Sequence, residues 1–147
     1  MAIIEYLHAT VPGSNLLPAD LLDQARVRQL SYAVAMEIHP VCNLHVAKHV
    51  VDLTQGGDDA RVTWMQHFIG KGLAAFDALL AQNPASSFCH GTVPTMADCC
   101  LIPQLYNADR WGVDYSGLAH VSRVAVLAAD NSAFIAAHPD QIGPPED

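Results

Sequence analysis

The chain has 147 residues, of which 51% are apolar and 15% charged, a balance that suits one packed domain and excludes a disordered segment. Its formal net charge is −8, and the cations are Lys48, Lys71, Arg26, Arg28, Arg61, Arg110 and Arg123. No nucleic acid and no membrane is expected as partner, because binding to either demands a basic face. No apolar run reaches the length of a bilayer span and no basic segment opens the chain as in a secretory signal, so a cytoplasmic location is expected.

Ala2 to Leu7 reads as a short helix with Ile3, Ile4 and Leu7 on one face and no cap at its start. Val11-Pro12-Gly13-Ser14-Asn15 is turn-rich and reads as a linker. Asp20 then caps a long helical pattern, with Asp23 three residues on and Leu22, Ala25, Leu30, Ala33 and Val34 as its apolar surface. Pro40 falls inside this pattern, removing a donor and crowding the Met36 carbonyl, so a kink is expected there with continuation to about Val51. Gln55-Gly56-Gly57-Asp58-Asp59 forms a loop. The next helix runs over residues 60–81, with Trp64, Phe68, Leu73, Phe76, Leu79 and Leu80 as candidate core. Asn83-Pro84-Ala85-Ser86-Ser87 is again a loop.

The most informative stretch is Thr95-Met96-Ala97-Asp98-Cys99-Cys100-Leu101-Ile102-Pro103-Gln104-Leu105-Tyr106-Asn107-Ala108-Asp109-Arg110. Thr95 and Asp98 have the spacing of a reciprocal N-cap box: each side chain reaches the other's backbone N–H. The helix so opened is apolar, contains Pro103 and ends near Arg110-Trp111-Gly112. Val121, Val124 and Leu127 mark another helix, residues 131–137 a short one stopped by Pro139, and residues 143–147 a loose tail. No segment alternates with period two, so the expected fold is all-α, a bundle of about five helices.

The chemistry-bearing side chains admit two readings each. His39, Cys42, His45 and His49 share about a third of a helix circumference, a spacing that suits a soft metal. Val46 stands where a metalloprotease helix needs Glu, and the plainer reading has His39 and His45 bordering a ligand groove with Cys42 packed, so no metal is assigned. The cysteines (Cys42, Cys89, Cys99 and Cys100) form no CxxC pair and read as reduced core thiols. By itself Arg110 reads as a cation at a helix C-terminus.

The Thr95–Arg110 stretch, together with Glu37-Ile38-His39-Pro40-Val41-Cys42-Asn43-Leu44, resembles the helical half of zeta-class glutathione transferases, the maleylacetoacetate and maleylpyruvate isomerase family. The resemblance covers the chain from Ala2 to about Pro144. It implies that residues 1–9 are the last helix of a thioredoxin-like domain otherwise missing here, 10–18 a linker, and 19–147 the helical C-terminal domain. The cosubstrate implied is glutathione, and the substrate a small conjugated diketo acid of tyrosine catabolism. In the family the glutathione thiolate adds to the cis double bond, rotation follows, and elimination gives the trans isomer. The motif that stabilises this thiolate belongs to the thioredoxin-like domain.

By the same resemblance His39, Asn43, Leu44 and His45 fall on glutathione-binding positions. Arg110 falls on the arginine that holds a substrate carboxylate, a task suited to its planar fork. No catalytic residue is assigned within the chain, and a homodimer is implied. The chain departs from the family at Gly91-Thr92-Val93-Pro94, at His45 where relatives carry Ser or Arg, and at Trp111 where Phe is usual. Three readings are set against one another: a truncated isomerase with little or no turnover by itself, a non-catalytic helical binding or dimerisation domain, and a metal-binding helical protein. The first places Ile3 and Ile4 on an exposed apolar face open to self-association.

Overall fold

The computed structural model describes residues 1–143. Its elements are α1 (Ala2–Thr10), α2 (Leu21–Tyr32), a π-helical segment (Ala33–Ile38), α3 (Leu44–Thr54), α4 (Gly57–Leu80), α5 (Met96–Arg110), α6 (Ala119–Ala129), α7 (Ser132–Ala136) and α8 (Pro139–Ile142). Among the described residues there is no strand, as the all-α expectation requires. No helix among them is long and apolar enough to cross a membrane.

The caps explain where the helices begin. Asp20 accepts from the Leu22 and Asp23 N–H groups at 2.8 and 3.1 Å and opens α2. The Thr95/Asp98 box opens α5 as its spacing predicts. Asp98 is fully buried, and its carboxylate accepts from the Thr95 N–H at 2.7 Å, the Thr95 hydroxyl at 3.0 Å and the Cys89 N–H at 2.9 Å. One side chain thereby fixes both the helix start and the loop leading into it. The Met96 N–H donates to the Leu16 carbonyl at 2.8 Å, which pins the segment before α2 to the same point. Helix α6 has no cap of its own at Leu118; Asp77 of α4 accepts from the His120 and Val121 N–H groups at 2.8 and 2.9 Å instead.

The expected kink at Pro40 is a break. Before the proline, the ladder widens into the π-helical segment, closing with the His39 N–H on the Val34 carbonyl at 3.0 Å. Proline has no N–H with which to continue, so the chain turns over residues 39–43 and restarts as α3 under an Asn43 cap, whose side chain accepts from the His45 N–H at 2.9 Å. This break, and the one-turn α8, carry the helix count beyond five. Pro139 ends α7 as expected but also occupies the first turn of α8 behind a His138 cap.

Helices α2, α4, α5 and α6 surround the core, with Val27, Leu30, Met65, Ile69, Leu73, Phe76, Leu101, Val121 and Val124 at its centre. On α4 the buried row is Met65, Ile69, Leu73, Phe76 and Leu80. Trp64, Phe68 and Leu79, expected in the core, flank it half-buried, and the Trp64 indole N–H donates to the Val41 carbonyl at 2.9 Å. Leu22, read as core-facing, is 79% exposed; the buried face of α2 is made by Val27, Leu30 and Ser31. Helix α1 is tied to α2 by the Arg28–Glu5 ion pair at 2.7 Å; Ile4 packs against the core and Ile3 is exposed. The tail reading at residues 144–147 lies outside the described residues.

The π-helical segment lies against α4 at Gly72. A Cβ there would meet Ile38 Cγ1 at 2.5 Å, and Ile38 is itself fully buried. Gly72→Ala gains about 1 kcal/mol of helix propensity but overpacks the contact by about 1–3 kcal/mol, so a net loss of stability is expected in urea unfolding. Asp98→Ala strands three donors and should cost about 2–4 kcal/mol in the same assay, well beyond a loss of cap alone.

Candidate functional site

The break at Pro40 and the exposed side of α5 face one another across a groove of about 590 Å³. One wall is the π-helical segment and the following turn, which contribute His39, Cys42, Asn43 and Leu44. The other is α5, whose Cys99, Cys100, Pro103, Gln104, Asn107, Arg110 and Trp111 recur at helical spacing. Met65 of α4 contributes to the lining.

His39, Asn43, Leu44 and Arg110, all predicted as site residues, therefore line one groove, and all four are exposed. His45 does not line it; it sits in the first turn of α3 with its backbone N–H held by Asn43. Asn43 thus has a structural task in its side-chain oxygen, which leaves the amide NH2 to act as a donor. His49 lies further along α3, away from the groove. Among the described residues, no three His, Cys, Asp or Glu side chains gather closely enough to hold a metal.

The groove's electrostatics centre on Arg110. Arg26 bonds Gln29 and the Leu79 carbonyl, Arg28 bonds Glu5 and Gln24, Arg61 pairs with Asp58, and Arg123 bonds the Ser87 carbonyl and His120. Among the described residues Arg110 alone of the arginines has no hydrogen-bond or ion-pair partner, and it is the one arginine of this groove. In a chain of net charge −8, an unpaired guanidinium beside a cavity is a ready site for a carboxylate.

The thiols are free and are poor nucleophiles. Burial pushes Cys42 up to about 11; burial, reinforced by the Asp98 charge, pushes Cys99 to about 11. Burial also raises Cys100 and carries Cys89 well above the ordinary thiol range. A nucleophile for chemistry in this groove has to arrive with a ligand.

A second cavity of about 380 Å³ lies between α5, α6, α7 and α8, with Tyr106 bordering both spaces. It is walled by apolar residues such as Leu105, Ala128 and Phe134, and no arginine lines it. The groove, with its cation and amides, is the better place for a charged small molecule.

Residues 63–136 match the family of the glutathione S-transferase C-terminal domain. Over 144 residues the chain is 52% identical to maleylacetoacetate isomerase of Rhizobium meliloti (strain 1021), which covers 98% of this chain and 68% of that protein. It superimposes with a TM-score of 0.92 on a bacterial maleylpyruvate isomerase, a zeta-class glutathione S-transferase, at 33% identity over 99% of this chain and 69% of the other. The chain belongs to the zeta-class glutathione transferases. A maleylacetoacetate isomerase of Anaeromyxobacter dehalogenans 2CP-1 with glutathione bound in its active site is 40% identical, with a TM-score of 0.89 over 96% of this chain. The chain spans 63 to 69% of the length of these zeta-class relatives. Glutathione is the family's cosubstrate.

Of the five residues that the family resemblance marked, four line this groove and His45 does not; the α5 stripe from Cys99 to Asn107 was not singled out. Counting back from Arg110 in steps of three and four would have reached Asn107, Gln104 and Cys100.

The raised thiol pKa values give a chemical test. At pH 8 a thiol of pKa about 11 is about one part in a thousand thiolate, so iodoacetamide should label Cys42 and Cys99 about a hundredfold more slowly than free cysteine. Labelling should rise about tenfold per pH unit toward pH 11, as read by peptide mass spectrometry. Because the folded state favours the neutral thiols, their contribution to stability is complete below pH 9 and is lost as pH climbs through about 11.

Proposed function

We propose that this chain forms the substrate-holding side of a glutathione-dependent cis–trans isomerase for a conjugated diketo acid of the maleylacetoacetate type. The observation that carries the reading is Arg110, an arginine without a protein partner beside a groove that also holds His39, Asn43 and Leu44. Arg110 takes the substrate carboxylate through a bidentate pair, which fixes one end of the molecule while its central double bond lies along the groove. His39, the Asn43 amide and Leu44 face the cosubstrate; the part of His45 in this reading is to anchor the Asn43 cap through its backbone. This polar set fits a tripeptide, and glutathione when bound supplies the sulfur nucleophile that the chain's own buried thiols do not. By remaining protonated, Cys42, Cys99 and Cys100 avoid competing for an electrophilic substrate.

Residues 1–9 are assigned to the last helix of a thioredoxin-like domain, 10–18 to a linker and 19–147 to the helical domain; the exposure of Ile3 (75%) and Tyr6 (67%) on α1 supports this division. A homodimer and a place in aromatic-compound catabolism belong to the same reading. Maleylpyruvate is the alternative substrate, favoured by the superposition on a maleylpyruvate isomerase; it too offers a carboxylate to Arg110.

The family resemblance places no thiolate-stabilising residue within this chain, so the chain by itself should turn over maleylacetone with glutathione at the background rate in a spectrophotometric assay. Arg110→Ala should weaken binding of a diketo acid by about 10- to 100-fold in calorimetry, the range for losing a charge-assisted pair. Undiminished binding in Arg110→Ala would remove the carboxylate role.

A further inference from the structure

The buried polar side chains of this fold divide unevenly. Among the described residues they are Ser31, Ser86, Thr95, Asp98 and Gln104. Ser31 donates to the Val27 carbonyl at 2.8 Å, Ser86 accepts from the Gly91 N–H at 2.9 Å, and Thr95 and Asp98 satisfy one another in the capping box. Gln104 is 3% exposed, and its Nε2 has no hydrogen-bond partner among the described residues. An unsatisfied buried amide destabilises a fold, and a leucine of similar size would remove the penalty.

The place of Gln104 suggests what the amide is for. It lines the groove six residues before Arg110 on the same helix, with Asn107 between them. Six residues of α-helix span about 9 Å along the axis, and the Arg110 side chain has the length to shorten that separation. Since no protein partner holds the amide, rotation about its terminal torsion exchanges donor and acceptor ends freely, so the end toward the groove can be the donor. Resting on the reading of Arg110 above, we propose that Gln104 is a substrate-positioning contact whose amide donates to a carbonyl oxygen of the ligand whose carboxylate Arg110 holds. The groove then grips its ligand at two points. It selects an elongated acid with an oxygen partway along its chain over a plain carboxylate, because a ligand without that oxygen leaves the amide unpaired.

Two probes and two variants test this. Succinylacetone is a saturated seven-carbon diketo acid that cannot isomerise; heptanoate has the same length and carboxylate but no ketones. By calorimetry the chain should bind succinylacetone more tightly than heptanoate. Gln104→Leu should lower succinylacetone affinity by about 3- to 10-fold, the range for one uncharged hydrogen bond, and leave heptanoate within twofold. Gln104→Met, which keeps the side-chain length, should behave alike. Both variants should melt at or above the temperature of the parent chain, since each removes an unpaired buried amide. A fall of several degrees in both would make the amide structural and overturn the proposal. Equal loss for the two probes, or no loss for either, would overturn it while leaving Arg110 in its role. Failure of the parent chain to bind either probe would remove the carboxylate site and the proposal together.

Discussion

Proline 40 cannot donate a hydrogen bond, and the groove beside it is arranged around that missing donor. The helix beginning at Asp20 cannot continue past it, so the ladder widens into the π-helical segment, the chain turns, and Asn43 caps a new helix. His39, Cys42, Asn43 and Leu44 come to the groove because the backbone there is not a regular helix that would hide or splay them. The widened segment needs room on its inner side, which Gly72 of α4 provides by having no Cβ to meet Ile38. A local defect at one residue is thus matched by a vacancy on a helix more than thirty residues away.

Opposite this irregular wall, α5 is anchored at its start by the capping box. Its first turn is fixed by a buried carboxylate with three donors, so the positions of Gln104 and Arg110 along the groove follow from the capping box by helix geometry alone. The two walls have opposite characters: one carries polar groups on a turn, the other displays an amide, a thiol pair and a guanidinium at fixed rise. The charge distribution completes the site. Four arginines are engaged by the fold itself, and the fifth, Arg110, stands without a partner among the described residues beside the groove of an otherwise acidic protein.

How much of this was legible in the sequence follows the range of the interactions involved. The Asp20 cap and the Thr95/Asp98 box act over two or three residues and were readable as written. Arg110, His39, Asn43 and Leu44 were readable through a family motif. On α4, Leu73, Phe76 and Leu80 lie in the core as read, but Trp64 and Phe68, the largest apolar residues of its first half, flank it: the indole finds an acceptor at Val41, and Met65 and Ile69 turn inward. The room that Gly72 leaves for Ile38 beside the break, and the burial of Gln104 without a partner for its Nε2, are facts that exist only once the helices are assembled. Local grammar reaches the ends of helices; it does not reach what two helices do to each other.

The capping of α6 by Asp77 has a consequence for how the molecule is put together. The donors it satisfies belong to residues 43 and 44 positions further along the chain, while Leu118, at the proper cap position, offers nothing. Helix α6 therefore has little reason to exist before α4 is in place: an excised peptide covering it would be mostly coil, and closing the long intervening loop must precede its first stable turn. In refolding, α4 should accordingly order before α6, with residues 119–129 gaining stable structure only once Asp77 is in place. A single carboxylate in the last turn of α4 is thus the latch on the start of α6.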